Sequence, residues 1–336
     1  MSNPSLLLAK DLMKAFGEDR PAVDNVSLQL TEKESLAIIG PSGAGKSTLL
    51  RLLAGLESPD SGSILLDGHR LEDPVEQLVR GNKDIRMVHQ DFGLAANRTV
   101  YGNVDMLLRR YQTDYRQQET RRLLEAVKLT PIADHAVATL SGGEKQRLGL
   151  ARALADDSRL VLLDEPFSQQ DALLKAHLYE VIYDEIRIAD KGMILVTHDP
   201  REAMALADRV AVMITGKIEQ EGSPSELYDH PHSPDVASLT GRINLMTAAQ
   251  WSAISIGHSL PTNGEQIVGY RPEDLRVEPS QESAFTIRRL VYQGSYTDVL
   301  AHDGTHTLYI RSTEGSYHIG QQVAISGKEG QEILFK

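Results

Sequence analysis

The chain contains no cysteine. Disulfides, thiolate zinc sites and cysteine nucleophiles are therefore excluded. It also lacks any unbroken apolar run approaching the roughly 20 residues that span a bilayer. The amino-terminal stretch MSNPSLLLAK offers only the short run Leu6 to Ala9, too brief for the apolar core of a secretory signal. Positive charge is in deficit: 35 Lys and Arg against 47 Asp and Glu give a formal net charge of -12. Duplex nucleic acid needs a basic footprint, so it is not expected as a partner. Internal repeats and low-complexity segments are missing as well. These absences predict a cytoplasmic protein without direct membrane insertion, any membrane role coming through a partner.

What is present suffices for two domains. Of the 336 residues, 41% are hydrophobic and 24% charged, an ordinary balance for cores of useful size. SLLLAKDLMKAF and AVDNVSLQL read as strands, and SLAIIG is a short apolar strand entering a glycine-rich loop. TLLRLLAGL, YRQQETRRLLEAVKL, EKQRLGLARALAD and DALLKAHLYEVIYDEIRIAD carry helical spacing, while RLVLLDEP and GMILVTHDP read as buried strands. That alternation predicts a mostly parallel sheet covered by helices. The rhythm changes near DHPHSPDVASLTGR. Beyond it QIVGY, LRVEP, FTIRRLVY, TDVLA, TLYIRS, QVAIS and EILF predict short strands, with an Asp303-Gly304 hairpin turn. The reading is an α/β domain over 1–238 and a small all-β, barrel-like domain over 239–336.

The strongest chemical signal is GPSGAGKST, residues Gly40, Pro41, Ser42, Gly43, Ala44, Gly45, Lys46, Ser47 and Thr48. It fills every position of the P-loop pattern, with a strand before it and a helix after it. Its backbone N–H groups and the helix N-terminus suit phosphates, Lys46 reaches for the β- and γ-phosphates, and the Ser47 hydroxyl suits Mg²⁺. RLVLLDEPF ends a buried strand in two carboxylates. Asp164 is the candidate Mg²⁺ ligand and Glu165 the candidate general base. Gln90 and His198 each follow an apolar run that a parallel strand would bring to the ligand-binding edge, Gln90 toward Mg²⁺ or water and His198 toward the γ-phosphate.

A second phosphate-like cradle sits at LSGGEKQR, residues 140–147. Ser141 and Glu144 form a capping-box pattern that would open the following helix. A capping box does not need Gly142 and Gly143, which cost on the order of 1 kcal/mol each in a helix relative to alanine. Close approach of an anion to the backbone would explain them, and the two readings are compatible until a ligand competes for the same N–H groups. His230, His232, His302 and His306 lie outside the motifs, and no carboxylate or third histidine completes a convincing metal set.

Together these residues resemble the ATP-binding cassette (ABC) family of ATPases over about residues 5 to 235. GPSGAGKST resembles its Walker A motif, LSGGEKQR its signature, LVLLDEP its Walker B with Glu165 as catalytic glutamate, Gln90 its Q-loop glutamine and His198 its switch histidine. Phe16 stands where the family places an adenine-stacking aromatic. The resemblance implies a head-to-tail homodimer in which Ser141, Gly142, Gly143, Glu144 and Asp171 serve the ATP of the partner chain, with Mg²⁺ as cofactor. VGYRPEDLRV and the strands after it resemble the carboxy-terminal β-domain (OB/TOBE-like) of binding-protein-dependent importers. That implies permease subunits as partners, a solute-binding protein beyond them, and a place on the inner face of the cell membrane. The second domain is short beside those of sugar importers, which points to inorganic ions, ferric iron or polyamines. Non-transport cassettes of DNA repair or translation, and an ATP-switched regulator, are the alternatives. Two departures stand out. The D-loop reads SQQD, with Gln170 in place of an apolar residue, and the run FGLAANRTVYGNV lacks the importers' Pro-His pair.

Overall fold

Strict alternation builds the first layer. In β2 (Val23–Thr31) Val26, Leu28 and Leu30 are buried while Asn25, Ser27 and Gln29 face out, and β2 pairs antiparallel with β1 (Ser5–Lys14). The next strand, β3 (Ser35–Ile39), is buried at every position and is followed by helix α1 (Lys46–Leu53). Then come β4 (Ser61–Leu66) and β5 (His69–Arg70), which complete a four-stranded antiparallel sheet in the order β2-β1-β4-β5. This is a computed structural model, and it describes residues 5–17, 20–72, 82–88, 93–155, 157–254, 264–313 and 315–335. The chain divides into two compact units, 1–224 and 225–336.

The rest of the first unit runs β6 (Ile85–Val88), α2 (Val100–Asp105), α3 (Thr113–Ala126), α4 (Gly142–Ala155), β7 (Leu160–Asp164) and α5 (Ala172–Ile188). It continues with β8 (Gly192–Thr197), α6 (Pro200–Leu206), β9 (Arg209–Ile214) and β10 (Lys217–Gly222). Its second sheet has the order β10-β9-β3-β8-β7-β6, parallel throughout except at the β10 edge. Like β3, β8 is buried at every position, and β7 at all but its last, Asp164. Such strands read as continuous apolar runs because both faces are covered. One core fills the space between this sheet and the antiparallel one, with Leu7, Leu12 and Leu30 meeting Ile38, Leu49, Leu162 and Ile194. The order β3-β8-β7 has a direct consequence: the carboxyl ends of three adjacent parallel strands share one edge, where ligands of such sheets bind.

The second unit holds α7 (Pro224–Asp229), α8 (Pro234–Thr240), β11 (Asn244–Thr247), α9 (Ala248–Ile254) and β12 (Ile267–Tyr270). After them come β13 (Leu275–Pro279), β14 (Phe285–Tyr292), β15 (Thr297–His302), β16 (Thr307–Ser312), β17 (Gln322–Gly327) and β18 (Ile333–Leu334). They form a three-stranded sheet, β11-β12-β18, and a five-stranded one, β13-β17-β14-β15-β16, around a core that includes Trp251, Tyr270, Phe285 and Ile287. The Trp251 indole N–H donates to the Val268 carbonyl at 3.0 Å, so the largest core side chain is also satisfied. The units part at 224/225, earlier than the 238/239 boundary read from the change of rhythm. Arg271 explains why. Only 2% exposed, its guanidinium donates to the carbonyls of Tyr228 (2.7 Å), Ala237 (2.9 Å) and Gly241 (3.1 Å) and to the Thr240 hydroxyl (3.1 Å). The helical segment 228–241 is thereby tied to the strands that follow it.

Candidate functional site

The site begins where β3 hands over to α1. A Cβ at Gly40 would lie 2.0 Å from the Met213 carbonyl oxygen, and one at Gly45, whose φ is 98°, would lie 1.8 Å from that of Ala22. Both positions are closed to any side chain, so the loop follows a path only glycine permits. No side chain caps α1 and no acidic residue stands in its first turn. Its first N–H groups therefore have no side-chain acceptor, which suits an anion. Lys46 is 6% exposed and its ammonium donates to the carbonyls of Gly40 (2.8 Å) and Pro41 (2.9 Å), holding it over the loop. Burial lowers its pKa, opposed by the nearby charges of Glu165 and Asp164.

The adjoining strand ends supply the rest. The Ser47 hydroxyl donates to Asp164 Oδ1 at 3.1 Å. Burial raises the Asp164 pKa, against the Ser47 hydrogen bond. A half-buried carboxylate beside a hydroxyl is an oxygen-only donor pair, the set Mg²⁺ takes, and a cation there would relieve the buried charge. Glu165 follows with φ 48°, a left-handed conformation that costs energy in a non-glycine residue and is held by its N–H to the Val196 carbonyl at 2.9 Å. That turn brings Glu165 Oε1 to 3.1 Å from His198 Nδ1. His198 in turn is framed by its neighbours. The Thr197 hydroxyl, which accepts from the Asp199 N–H at 3.0 Å, donates to buried Glu202 at 2.6 Å, and Glu202 pairs with Lys175 of α5 at 2.9 Å.

The signature stretch lies elsewhere on the same chain. The capping box forms: Ser141 donates through its backbone N–H (2.8 Å) and hydroxyl (2.7 Å) to Glu144 Oε2, and the Glu144 N–H returns to the hydroxyl at 3.3 Å. The Ser141 hydrogen bonds, hydroxyl first, lower the Glu144 pKa. Asp171 caps α5, accepting from the Leu174 N–H at 3.0 Å. Among the described residues, no hydrogen bond or ion pair joins Ser141–Glu144 or Asp171 to the P-loop. The structure thus brings Lys46, Ser47, Asp164, Glu165 and His198 together, while Ser141, Gly142, Gly143, Glu144 and Asp171 make no direct bond to them. Of the signature stretch, Gln146 alone among the described residues bonds one of them, donating to the Glu165 carbonyl at 2.9 Å. Ser42 and Gly43 are exposed on the loop, and Ser47, exposed, and Thr48, half-buried, lie in the first turn of α1. Phe16 is 58% exposed, with the Lys14 ammonium over its ring, 5.6 Å from the centroid. Gln90 lies outside the described residues.

The family model for "ABC transporter" matches residues 23–168. A sulfate/thiosulfate import ATP-binding protein of Synechocystis is 33% identical over 98% of this chain and 93% of its own. A spermidine/putrescine import ATP-binding protein of Nitratidesulfovibrio vulgaris is 33% identical, covering 94% of each chain. This chain belongs to the ABC transporter family. As a member it is an ATP-binding and ATP-hydrolysing protein. Among solved structures, a dimeric ATP-binding cassette, MJ0796, in a post-hydrolysis state bound to ADP and Pi, matches with a TM-score of 0.57 at 28% identity. That match covers 65% of this chain and 98% of the cassette.

Some residues of this ABC ATPase escaped the sequence reading. Lys175 and Glu202 were missed because their pairing spans two helices. The available signal was Asp199-Pro200-Arg201-Glu202, a capping-box spacing whose glutamate turns instead to Thr197. Gln146, 3% exposed, looked like an ordinary polar position on the signature helix. The signature glycines also have a neighbour in their own chain. A Cβ at Gly142 would sit 2.0 Å from Gln169 Oε1, and one at Gly143 would sit 3.0 Å from the Gln169 carbonyl oxygen and 3.3 Å from Gln170 Nε2. At Gly143, where the close atom is backbone, part of the glycine requirement is therefore intramolecular, whereas the Gln169 amide near Gly142 ends an exposed side chain that can swing away.

Proposed function

We propose that this chain is the ATPase subunit of a solute importer, working as a homodimer beneath membrane permease subunits that receive solute from a binding protein. The observation that carries the reading is the single sheet edge on which Lys46, Ser47, Asp164, Glu165 and His198 converge. The likeness to import ATP-binding proteins along nearly the whole chain, second unit included, supports import over a regulatory or nucleic-acid role. Among the described residues no helix is long and apolar enough to cross a membrane, which fits a peripheral subunit on the inner face.

In this reading the loop N–H groups and Lys46 hold the phosphates, and Phe16 stacks on adenine. Mg²⁺, held by Ser47 and Asp164 with Gln90, neutralises phosphate charge when bound. Glu165 accepts the proton of the attacking water as the water oxygen bonds to the γ-phosphorus and the bond to the ADP oxygen breaks. His198, braced at 3.1 Å from Glu165, orients that carboxylate and faces the γ-phosphate. Ser141, Gly142 and Gly143 complete the site of a second copy, an isologous pairing that makes two equivalent sites. The second unit is a TOBE-type domain, and the solute is proposed among inorganic ions, ferric iron and polyamines. Two variants test the site. Glu165→Gln should abolish turnover and leave ATP-bound dimers that dissociate slowly in size-exclusion chromatography; normal hydrolysis would remove Glu165 from the base role. Ser141→Arg should block hydrolysis with ATP affinity retained, and a variant unable to bind ATP would contradict a role in trans.

A further inference from the structure

We infer that Gln170 is a positioning residue, whose side-chain amide fixes the signature turn relative to the catalytic strand end of its own chain and so sets the rate at the partner's ATP. This rests on the dimeric reading above. The Gln170 Nε2 group donates to the Gly143 carbonyl at 3.0 Å and to Gln146 Oε1 at 2.8 Å, so both N–H bonds have acceptors. Gln146 is buried on the first turns of the signature helix, and its own Nε2 donates to the Glu165 carbonyl at 2.9 Å and to the Ser168 hydroxyl at 3.3 Å. A chain of amide hydrogen bonds thus runs from the backbone of Glu165 through Gln146 and Gln170 to the backbone of Gly143. The Gln169 N–H adds a bond to Gln146 Oε1 at 3.3 Å, and Gln169 Oε1 occupies the space a Cβ on Gly142 would need.

An apolar side chain at position 170, the residue type the family pattern has there, provides neither donor. Gln170 instead supplies a directional link, and losing it leaves the half-buried Gly143 carbonyl and the buried Gln146 amide oxygen each short of a donor. The two ends of the link serve different nucleotides. Glu165 acts on the ATP of its own chain, while Gly143 faces the ATP of the other. Loosening Gln170 should therefore misplace the signature and slow hydrolysis in trans, leaving the P-loop and its ATP affinity unaffected.

The experiment uses full-length chains with two different affinity tags, co-expressed and doubly purified as mixed dimers, with Glu165→Gln silencing one site. In the first arrangement Gln170→Leu and Glu165→Gln share a chain, so the working site uses the altered signature. In the second they sit on opposite chains, so the working site uses the unaltered one. The expected result is a kcat about tenfold lower in the first arrangement than in the second, with KM for ATP unchanged in both, since small misplacements of catalytic groups cost rates of this order. Gln170→Met, which keeps length without donors, should reproduce it. An equal loss in both arrangements is what a general packing defect gives, and it overturns the inference. So does a loss that follows the chain carrying the intact Glu165. The Glu165→Gln homodimer is the control for the underlying reading: if it hydrolyses ATP at the parent rate, the assignment of the sites fails before Gln170 is at issue.

Discussion

At the scale of single residues, the catalytic edge depends on groups that touch no phosphate. Glu202 is the example. Its carboxylate, 4% exposed, holds Lys175 and the Thr197 hydroxyl, and Thr197 is covalently next to His198. Removing one partner of a buried pair strands the other, so Glu202→Ala should destabilise the chain by about 3 kcal/mol, at the low end for such a break because Lys175 keeps part of its side chain in water. A denaturant midpoint measures that cost. Turnover should fall further than stability explains, because the Thr197 hydroxyl, which accepts from the Asp199 N–H beside His198, loses the carboxylate that fixes it. A variant as stable as the parent would show that the pair contributes nothing net. Sequence made Asp164, Glu165 and His198 legible because each stands at the end of an apolar run, where strand geometry fixes its destination, and Lys46 because it fills the lysine position of a complete P-loop pattern. It marked Gln170 as an unusual D-loop residue but could not reveal its partners, Gly143 and Gln146, or the pairing of Glu202 with Lys175, because these contacts join segments 24 to 27 residues apart.

At the scale of elements, the reading succeeded where a segment has one strong period and failed where local cues compete. The buried strands β3, β7 and β8 and the long helices α3 and α5 came through because their apolar patterns are unambiguous. The short strand β4, its edge neighbour β5 and the last pair β9 and β10 did not. β4 is exposed at its first two residues, and only its later residues Ile64 and Leu66 are buried, so turn residues at its start mask a short strand. The Asp-Gly turn formed, but with a longer loop than the dipeptide suggests. β15 and β16 close at the pair His302–Thr307, because Asp303 accepts from the N–H groups of Thr305 (2.8 Å) and His306 (2.6 Å) and faces the His306 ring at 3.1 Å. Burial pushes the Asp303 carboxyl up, but these hydrogen bonds outweigh it and hold it at about 2, below the ordinary 3.8. A depressed carboxyl stabilises the fold above its unfolded value and loses that contribution as pH falls through the folded one. The hairpin should therefore weaken between about pH 4 and pH 2. The stability difference between the parent and Asp303→Asn should shrink across that window, and a constant difference would exclude Asp303 as its source.

For the whole molecule, the acidic net charge, the lack of a membrane-spanning helix among the described residues and the import ATP-binding relatives point the same way. The decisive measurement is ATPase activity in a complex with the permease and binding protein. Stimulation by one solute class should exceed that by others, and activity indifferent to every solute would weigh against import. The relatives named for sulfate/thiosulfate, spermidine/putrescine and, from Rhizobium meliloti, α-glucoside transport define a first panel. The second unit bears on stability as well. Arg271→Leu would remove the guanidinium donors of the buried Ala237 carbonyl and the half-buried Tyr228 and Gly241 carbonyls, each loss costing up to about 1–3 kcal/mol, and should lower the melting temperature of the full chain markedly. The same guanidinium sets a rule for exchanging parts between transporters. A chimera spliced at 238/239, where the sequence rhythm changes, would pair Arg271 with foreign helices and orphan its donors. A splice at 224/225 carries the carbonyls along with the arginine that needs them, so the transferable module begins at the helices rather than at the first strand.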